Sequence, residues 1–582
     1  MFAAIPFSIP LLLTLSLTVI AYLALRLFRH IRYNIWVRTN PEFAKIPHLP
    51  QHWLLGNLIN VGKHLDPSLP RHPDYGFEEI WNKLDRPPCF WFDMALVGII
   101  VLVVVDPALA EAVTEPRPGL KYSTLKSDTL QSFSRLLGWE SLVLVHGEEW
   151  RSLRRRFNKG FAPTHLHSLA PLILDRTQIF ISRLKAFAQS GEDFLMRDLA
   201  QDLTTDIITM VSLERDFGAQ TSGKDMGENA WPFGIFYLTK CLAEQAFKVG
   251  QGFNLLQSID PVRPFMAWLN ERILNWRLYH IVSEKLNETR HPPSHSTDSK
   301  PSTRPSRSIV QLATADLPPN RALINNTVSQ IKSFLFAGQD TTATLIQWLT
   351  FELSKCTSMP PIDPQYAHCR AIYQALVDEH DAVFGAHDPF SALAALADPT
   401  SSEATINTRL PVTNAWVKEA LRLHPPAATA RYVPLESANM PPFEIPIPNA
   451  NPNSSSSSSS SSTARINGLR IYNCQYLLHR DPSIWGHDTA ALFNPSRWLD
   501  EDYVRALPTG AWRPFERGPR NCIGQTLAVL EGVVVLCCVA RGFAFEKRGG
   551  GKGWGGEEEV RTTLRVTAVV GDGMRMGVKL GV

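Results

Sequence analysis

Arg513-Pro514-Phe515-Glu516-Arg517-Gly518-Pro519-Arg520-Asn521-Cys522-Ile523-Gly524 sets a single cysteine in a stiff loop that runs into an apolar stretch, Gln525 to Ala540. Prolines and glycines fix the course of this loop, and Arg513, Arg517 and Arg520 surround it with positive charge. A thiolate is stabilised by backbone N–H groups at a helix N-terminus and by nearby cations. A cysteine placed this way serves as a ligand or a nucleophile. The loop by itself leaves open a plain buried thiol at a helix start.

Outward from the loop, helical patterns dominate. Ala322 to Lys355 reads as one long apolar-rich helix, and Val412 to His424 as another, stopped by Pro425 and Pro426. Short strand-like runs are expected at Gly98 to Val105, Arg465 to Tyr472 and Val560 to Val570. The fold class is therefore mainly α with a minor β region. Three segments read as flexible insertions: 291–307, 449–464 with its serine run, and the glycine-rich 549–556. The last is not a phosphate loop, because no Ser or Thr follows Lys552 and no helix pattern follows the loop.

The chain has 582 residues and a net charge of +3, which gives bulk electrostatics no reason to select nucleic acid. Its eight cysteines are scattered without a C-x-x-C spacing, which fits a reducing compartment better than a disulfide scaffold or a zinc site. Phe2 to Leu25 carries no charge, and Leu11 to Phe28 is about long enough to cross a bilayer. Arg26, Arg29, Arg32 and Arg38 follow that run, the order of a retained anchor with the main domain in the cytosol rather than of a cleaved signal peptide. The division expected is 1–30 anchor, 31–56 basic and proline-rich hinge, and 57–582 catalytic domain.

Other segments add polar chemistry. Trp150 and Arg154 are four apart, so on a helix they share a face and can both bind carboxylates. Ala337-Gly338-Gln339-Asp340-Thr341-Thr342 interrupts the long apolar helix with residues a helix interior disfavours. Threonine hydroxyls there can bond back to carbonyls one turn earlier and open a notch for water. Glu419 and Arg422 lie one turn apart and pair readily.

The spacing Phe515-x-x-Gly518-x-Arg520-x-Cys522-x-Gly524 fixes five residues within ten and resembles the haem-thiolate loop of the cytochrome P450 family. The other segments, with Phe493-Asn494-Pro495-Ser496-Arg497-Trp498 and His479-Arg480-Asp481-Pro482, resemble that family in the same order, from about Pro47 to Val582. Ser496 departs from the glutamate the family often carries there. The resemblance implies a helix-rich prism around a buried haem b. Cys522 would be the axial ligand beside Phe515, and Trp150, Arg154, Arg431 and Arg520 would hold the propionates. Glu419, Arg422 and Arg497 would lock the fold, and Asp340 and Thr341 would deliver protons to dioxygen.

The implied activity is monooxygenation of a lipophilic small molecule, with contacts from 122–139, 203–217, 333–341 and 427–433. No flavin or nicotinamide motif is present, so the electrons of NADPH would arrive through a partner reductase. Arg151, Arg154, Arg155, Arg156 and Lys159, with Arg513 and Arg517, are the expected docking face. The general look resembles membrane-anchored, filamentous-fungal enzymes of secondary metabolism in the endoplasmic reticulum. Desaturation, isomerisation or dehydration on the same haem, and a non-catalytic haem sensor, are the rival readings.

Overall fold

A computed structural model describes residues 9–52, 55–62, 72–94, 99–221, 241–242, 262–290, 308–357, 367–385, 389–390, 393, 406–447, 462–549, 562–564 and 567–581. Nearly all of the three expected insertions lies outside these residues. The longer helices are α1 (Ile9–Thr39), α2 (Pro73–Lys83), α3 (Gly147–Asn158), α4 (Ala170–Ser190), α5 (Met196–Leu213), α6 (Val262–Arg290), α7 (Arg321–Thr357), α8 (Ala367–Phe384), α9 (Pro411–Leu423) and α10 (Gln525–Val539). The strands are short: β1 (Cys89–Met94), β2 (Ile99–Val104), β3 (Leu125–Lys126), β4 (Phe194–Leu195), β5 (Thr429–Tyr432), β6 (Glu444–Ile447), β7 (Ser462–Arg465), β8 (Arg470–Asn473), β9 (Phe543–Lys547), β10 (Thr562–Leu564), β11 (Ala568–Val570) and β12 (Arg575–Leu580). The expected balance of helix over strand holds.

Helix α7 is the axis of the molecule. Its 37 residues span about 55 Å at 1.5 Å per residue, and buried side chains occupy every face, as they do in a helix surrounded by protein. Asn320 caps its start by accepting the Leu323 N–H at 2.8 Å. Helices α5, α6, α9 and α10 all pack on it, α5 most extensively. Helix α9 begins at Pro411, where the Glu379 carboxylate of α8 accepts the Val412 and Thr413 N–H groups at 2.6 and 2.8 Å. It ends one residue before His424 and the two prolines, within a residue of the expected stop. Helix α10 is apolar all round and almost wholly buried.

The main sheet runs in the order β1-β2-β8-β5-β3. Only the β2–β8 pair is parallel; the others are antiparallel. Its register sets Lys126 of β3 opposite Arg431 of β5. A second sheet runs β4-β12-β9, and β6–β7 and β10–β11 form separate antiparallel pairs.

Helix α1 continues through residues 31–39, which the sequence reading assigned to a hinge. Leu17, Ile20, Tyr22, Leu25, Leu27 and Phe28 on it are exposed. Among the described residues no helix is long and apolar enough to cross a membrane. The helix expected at the N-terminus is present, but a membrane crossing is not established.

Candidate functional site

The Cys522 loop is held from three sides. Its own backbone closes it, with the Cys522 N–H donating to the Phe515 carbonyl at 2.9 Å. Gly518 sits at φ +74°, and a Cβ there would lie 2.5 Å from the Thr114 carbonyl oxygen. That position therefore admits only glycine. Arg154 of α3 donates to the Asn521 carbonyl at 2.7 Å and to the Asn521 side chain at 2.8 Å. Arg154 thus clamps the loop itself, whereas the resemblance had it reaching a propionate.

Arg513 and Glu516 make the floor. Arg513 Nε donates to Glu516 at 2.7 Å, Asn473 Nδ2 donates to Glu516 at 3.0 Å, and the Arg513 N–H donates to His479 Nε2 at 3.0 Å. The other ring nitrogen, His479 Nδ1, lies 3.0 Å from the Arg422 carbonyl. A ring that accepts at Nε2 and donates at Nδ1 is neutral, and burial first, then Arg422, hold its pKa far below the usual range.

His479 thereby joins the loop to a second buried cluster. Glu419 accepts from Arg422 at 2.8 and 2.9 Å, from Arg497 at 3.1 Å, from the Trp498 indole at 2.9 Å and from the Asn494 N–H at 2.9 Å. Arg422 also reaches the carbonyls of His479, Ala490 and Leu492. The three residues nominated as the lock are together and buried. Ser496 takes no part among these contacts; its N–H bonds the Asn494 side chain at 3.2 Å.

Above the loop the charge does not balance. Arg431 is fully buried, yet none of its three guanidinium nitrogens has a hydrogen-bond partner among the described residues. Burial pulls its pKa down to about 10, so it keeps its charge at neutral pH. Arg520 donates to the Val145 carbonyl at 2.8 Å, but its Nε has no hydrogen-bond partner among them either. Lys126 lies beside both; burial, then Arg431 and Arg520, push its amine far below the usual range. Arg520 NH1 lies 3.0 Å from His146 Nδ1, which must then accept and carry its proton on Nε2. Burial first, then Arg520, Lys126 and Arg431, hold that imidazole at about 4, hence neutral. Trp150 lies under Arg520, 5.0 Å from the guanidinium carbon to the ring centroid.

Cys522 shows surface and yet is closely surrounded. Burial raises its thiol pKa, opposed by the Gly524 N–H, Arg154 and Lys126. Buried donors of this kind normally have acceptors. Several cations with idle donors beside a cysteine in a loop of N–H groups fit a large ligand with a metal at one end and carboxylates at the other. A haem has that chemistry. The residues present fit it.

In α7 the Thr341 hydroxyl donates to the Ala337 carbonyl at 2.7 Å, as expected. The Gln339 carbonyl accepts the Thr204 hydroxyl of α5 at 2.9 Å. The helix is nonetheless continuous through 337–342. Gly338 has a different cause from a notch: a Cβ there would lie 2.8 Å from Ile208, so glycine lets α5 and α7 approach. Asp340 and Thr341 are both half-buried. Leu136, Leu137, Leu203 and Phe334, in stretches expected to contact substrate, are buried in the main core cluster.

The nominated docking face divides. Arg151, Arg155 and Lys159 are exposed and line a cleft of about 520 Å³ with Trp150, Arg154 and Asn158. Arg513 is not part of it, being buried against Glu516 and Glu111. Arg156 is turned to Asn326 at 2.6 Å. A larger cleft, about 730 Å³, lined by Arg86, Asp106 and Pro508, contains none of the nominated site residues.

The family model for cytochrome P450 matches residues 47–446 and 467–558. The chain belongs to the cytochrome P450 family. A cytochrome P450 monooxygenase of Polytolypa hystricis, polC, is 26% identical over 550 residues, 91% of this chain and 87% of the relative. The monooxygenase acrF of Aspergillus aculeatus is 24% identical and aligns over 76% and 81% of the two chains. The crystal structure of the cytochrome P450DA heme domain superposes with a TM-score of 0.63 at 17% identity, covering 92% of this chain and 96% of that one. The family implies a haem with a cysteine thiolate ligand.

Proposed function

We propose that this P450 is a haem-thiolate monooxygenase that inserts one oxygen atom into a lipophilic small molecule in fungal secondary metabolism. The observation that carries the reading is Arg431: a fully buried cation whose donors have no hydrogen-bond partner among the described residues, with Lys126 within electrostatic reach of both it and Cys522. Cys522 is the axial ligand in this reading, and Arg431, Arg520, Lys126 and the Nε2 proton of His146 hold the propionates. Such a haem supplies activation of dioxygen, with thiolate donation favouring O–O cleavage. Thr341, bonded back to Ala337, keeps its oxygen lone pairs available to hold a water, and Asp340 passes protons toward it. The apolar surround excludes bulk water and orients a lipophilic substrate.

Electrons come from NADPH through a reductase that docks at Arg151, Arg155 and Lys159, where exposed positive charge meets an acidic partner. Attachment to the endoplasmic-reticulum membrane through α1 rests on its exposed apolar residues and on the arginines that follow the apolar run. The fungal relatives named as monooxygenases support the reaction class. The test is the carbon monoxide difference spectrum of the reduced protein. Cys522→Ser should lose the red-shifted band of a thiolate-ligated haem while wild type shows it. An unchanged band in the variant would assign the ligand elsewhere.

A further inference from the structure

Both oxygens of the Asp340 carboxylate are engaged. Oδ1 accepts the Gln201 amide of α5 at 3.0 Å, and Oδ2 accepts the hydroxyl of Thr567. Thr567 is 227 residues away in sequence and 4% exposed. It stands at the entry of β11, and that strand packs against α7. The backbone around it is fixed: the Ala568 N–H donates to the Pro426 carbonyl at 2.9 Å, and the Val569 N–H to the Thr567 carbonyl at 3.1 Å. Its sister strand β10 is tied by the His72 N–H to the Thr562 carbonyl at 3.0 Å and by the Thr562 N–H to the Tyr75 hydroxyl at 3.2 Å.

We infer that Thr567 is a positioning residue for the Asp340 carboxylate, so that the β10–β11 pair sets the aim of the proton donor. This rests on the role for Asp340 proposed above. A carboxylate on a helix can rotate about its side-chain bonds; two donors from two other elements hold it in one orientation. Gln201 fixes the oxygen on the α5 side, and Thr567 fixes the one on the sheet side. A threonine hydroxyl that donates to Oδ2 still has lone pairs to accept from a water, so the same contact extends the path by which a proton reaches Asp340. The pair β10–β11 adjoins Pro426, which immediately precedes the segment carrying Arg431. A shift of that segment is therefore transmitted to Asp340 through one hydroxyl.

The test uses the full-length holoenzyme with an NADPH-dependent flavoprotein reductase, comparing Thr567→Val, Thr567→Ser, Asp340→Asn and Asp340→Asn/Thr567→Val. NADPH oxidation without added substrate is followed in H2O and D2O, and imidazole is the probe ligand for the haem site. Thr567→Val should bind haem normally and bind imidazole within about twofold of wild type, yet oxidise NADPH about tenfold more slowly with a larger solvent isotope effect, the scale set by one hydrogen bond to a charged group. Thr567→Ser should stay within about twofold of wild type, since it restores only the hydroxyl. The double variant should be no slower than Asp340→Asn alone, because the two act as one unit. Wild-type kinetics in Thr567→Val, a serine variant as slow as valine, or multiplying losses in the double variant would each overturn the role of Thr567 while leaving Asp340 in place. Wild-type kinetics in Asp340→Asn would instead remove the acid itself, and Thr567's role with it.

Discussion

Replacing Arg431 with methionine should act in opposite directions on the apoprotein and the haem-bound protein. In the apoprotein Arg431 is a fully buried charge with no hydrogen-bond partner among the described residues, and its pKa of about 10 leaves it charged at neutral pH. Glu516, the nearest named carboxylate, is already taken by Arg513 and Asn473. Exchanging this buried charge, which lacks hydrogen-bonded partners, for an apolar side chain of similar volume stabilises by about 1–4 kcal/mol, the scale on which buried ionic groups are replaced by apolar ones. With haem bound as proposed, the same guanidinium would face a carboxylate, and removing one partner of a buried pair costs about 3–5 kcal/mol. Arg520 and Lys126 remain to share the load, so the lower end applies, about 3 kcal/mol or roughly a hundredfold in haem affinity. The assay has two parts: thermal unfolding of haem-extracted protein by tryptophan fluorescence, and the rate of haem loss to excess apomyoglobin. The expected pair is a higher apoprotein melting temperature and faster haem loss. A variant whose apoprotein melts lower than wild type would refute the reasoning, because it would make Arg431 a structural residue satisfied without the cofactor.

Glu419→Gln should cost about 3–5 kcal/mol in chemical denaturation, because the amide nitrogen must face donors that the carboxylate now accepts and two buried guanidinium groups lose their counter-charge; a loss under about 1 kcal/mol would contradict the network. Gly338→Ala should destabilise by about 1–3 kcal/mol, since its Cβ would meet Ile208 at 2.8 Å. Adding Ile208→Ala should recover part of that loss in melting temperature, and a double variant whose losses simply add would show that the two do not touch. Removing residues 2–38 should release the protein from microsomes at alkaline pH and leave its carbon monoxide spectrum intact; a truncated chain that still pellets would place the membrane contact elsewhere.

What the sequence made legible is what it concentrates in one place. The Cys522 loop, α7, α9 and α10 are each set by neighbours within a few turns, and their ends fall within a residue or two of the expected positions. Glu419 and Arg422 could be paired because a helical turn separates them. The residues that sequence reasoning missed are separated by the fold rather than by a turn. Lys126 lies in a two-residue strand with no periodicity to read, and only the β3–β5 register brings it to Arg431, 305 positions away. His146 signals nothing as a lone histidine before a helix. His479 stood in a recognised segment, but its two ring contacts join elements that only the fold puts side by side. Strands β1 and β12 escaped because Phe90-Trp91-Phe92 places three aromatic residues in succession within β1 and Arg575–Leu580 contains a glycine, so neither alternates cleanly. Arg513 failed in the other direction: its charge read as a surface feature, and only burial against Glu516 and Glu111 shows it to be structural.

Arg513 and Arg431 make the distinction that decides the site. Both are fully buried arginines, and burial of a cation is costly unless it is paired. Arg513 has Glu516, the carbonyl of Ala110 and the hydroxyl of Thr114, so its charge is accounted for within the protein. Arg431 sits near the same Glu516 but donates no hydrogen bond to it, because Arg513 and Asn473 occupy the carboxylate. One carboxylate cannot serve both arginines, and the protein spends it on the one that holds the cysteine loop. The second arginine, with Lys126 and the idle Nε of Arg520 beside it, is left with no hydrogen-bond partner for its donors among the described residues. A fold that only needed stability would replace Arg431 with an apolar residue. Retaining it makes physical sense when an anion enters from outside the chain, next to the cysteine loop whose thiol Lys126 also faces.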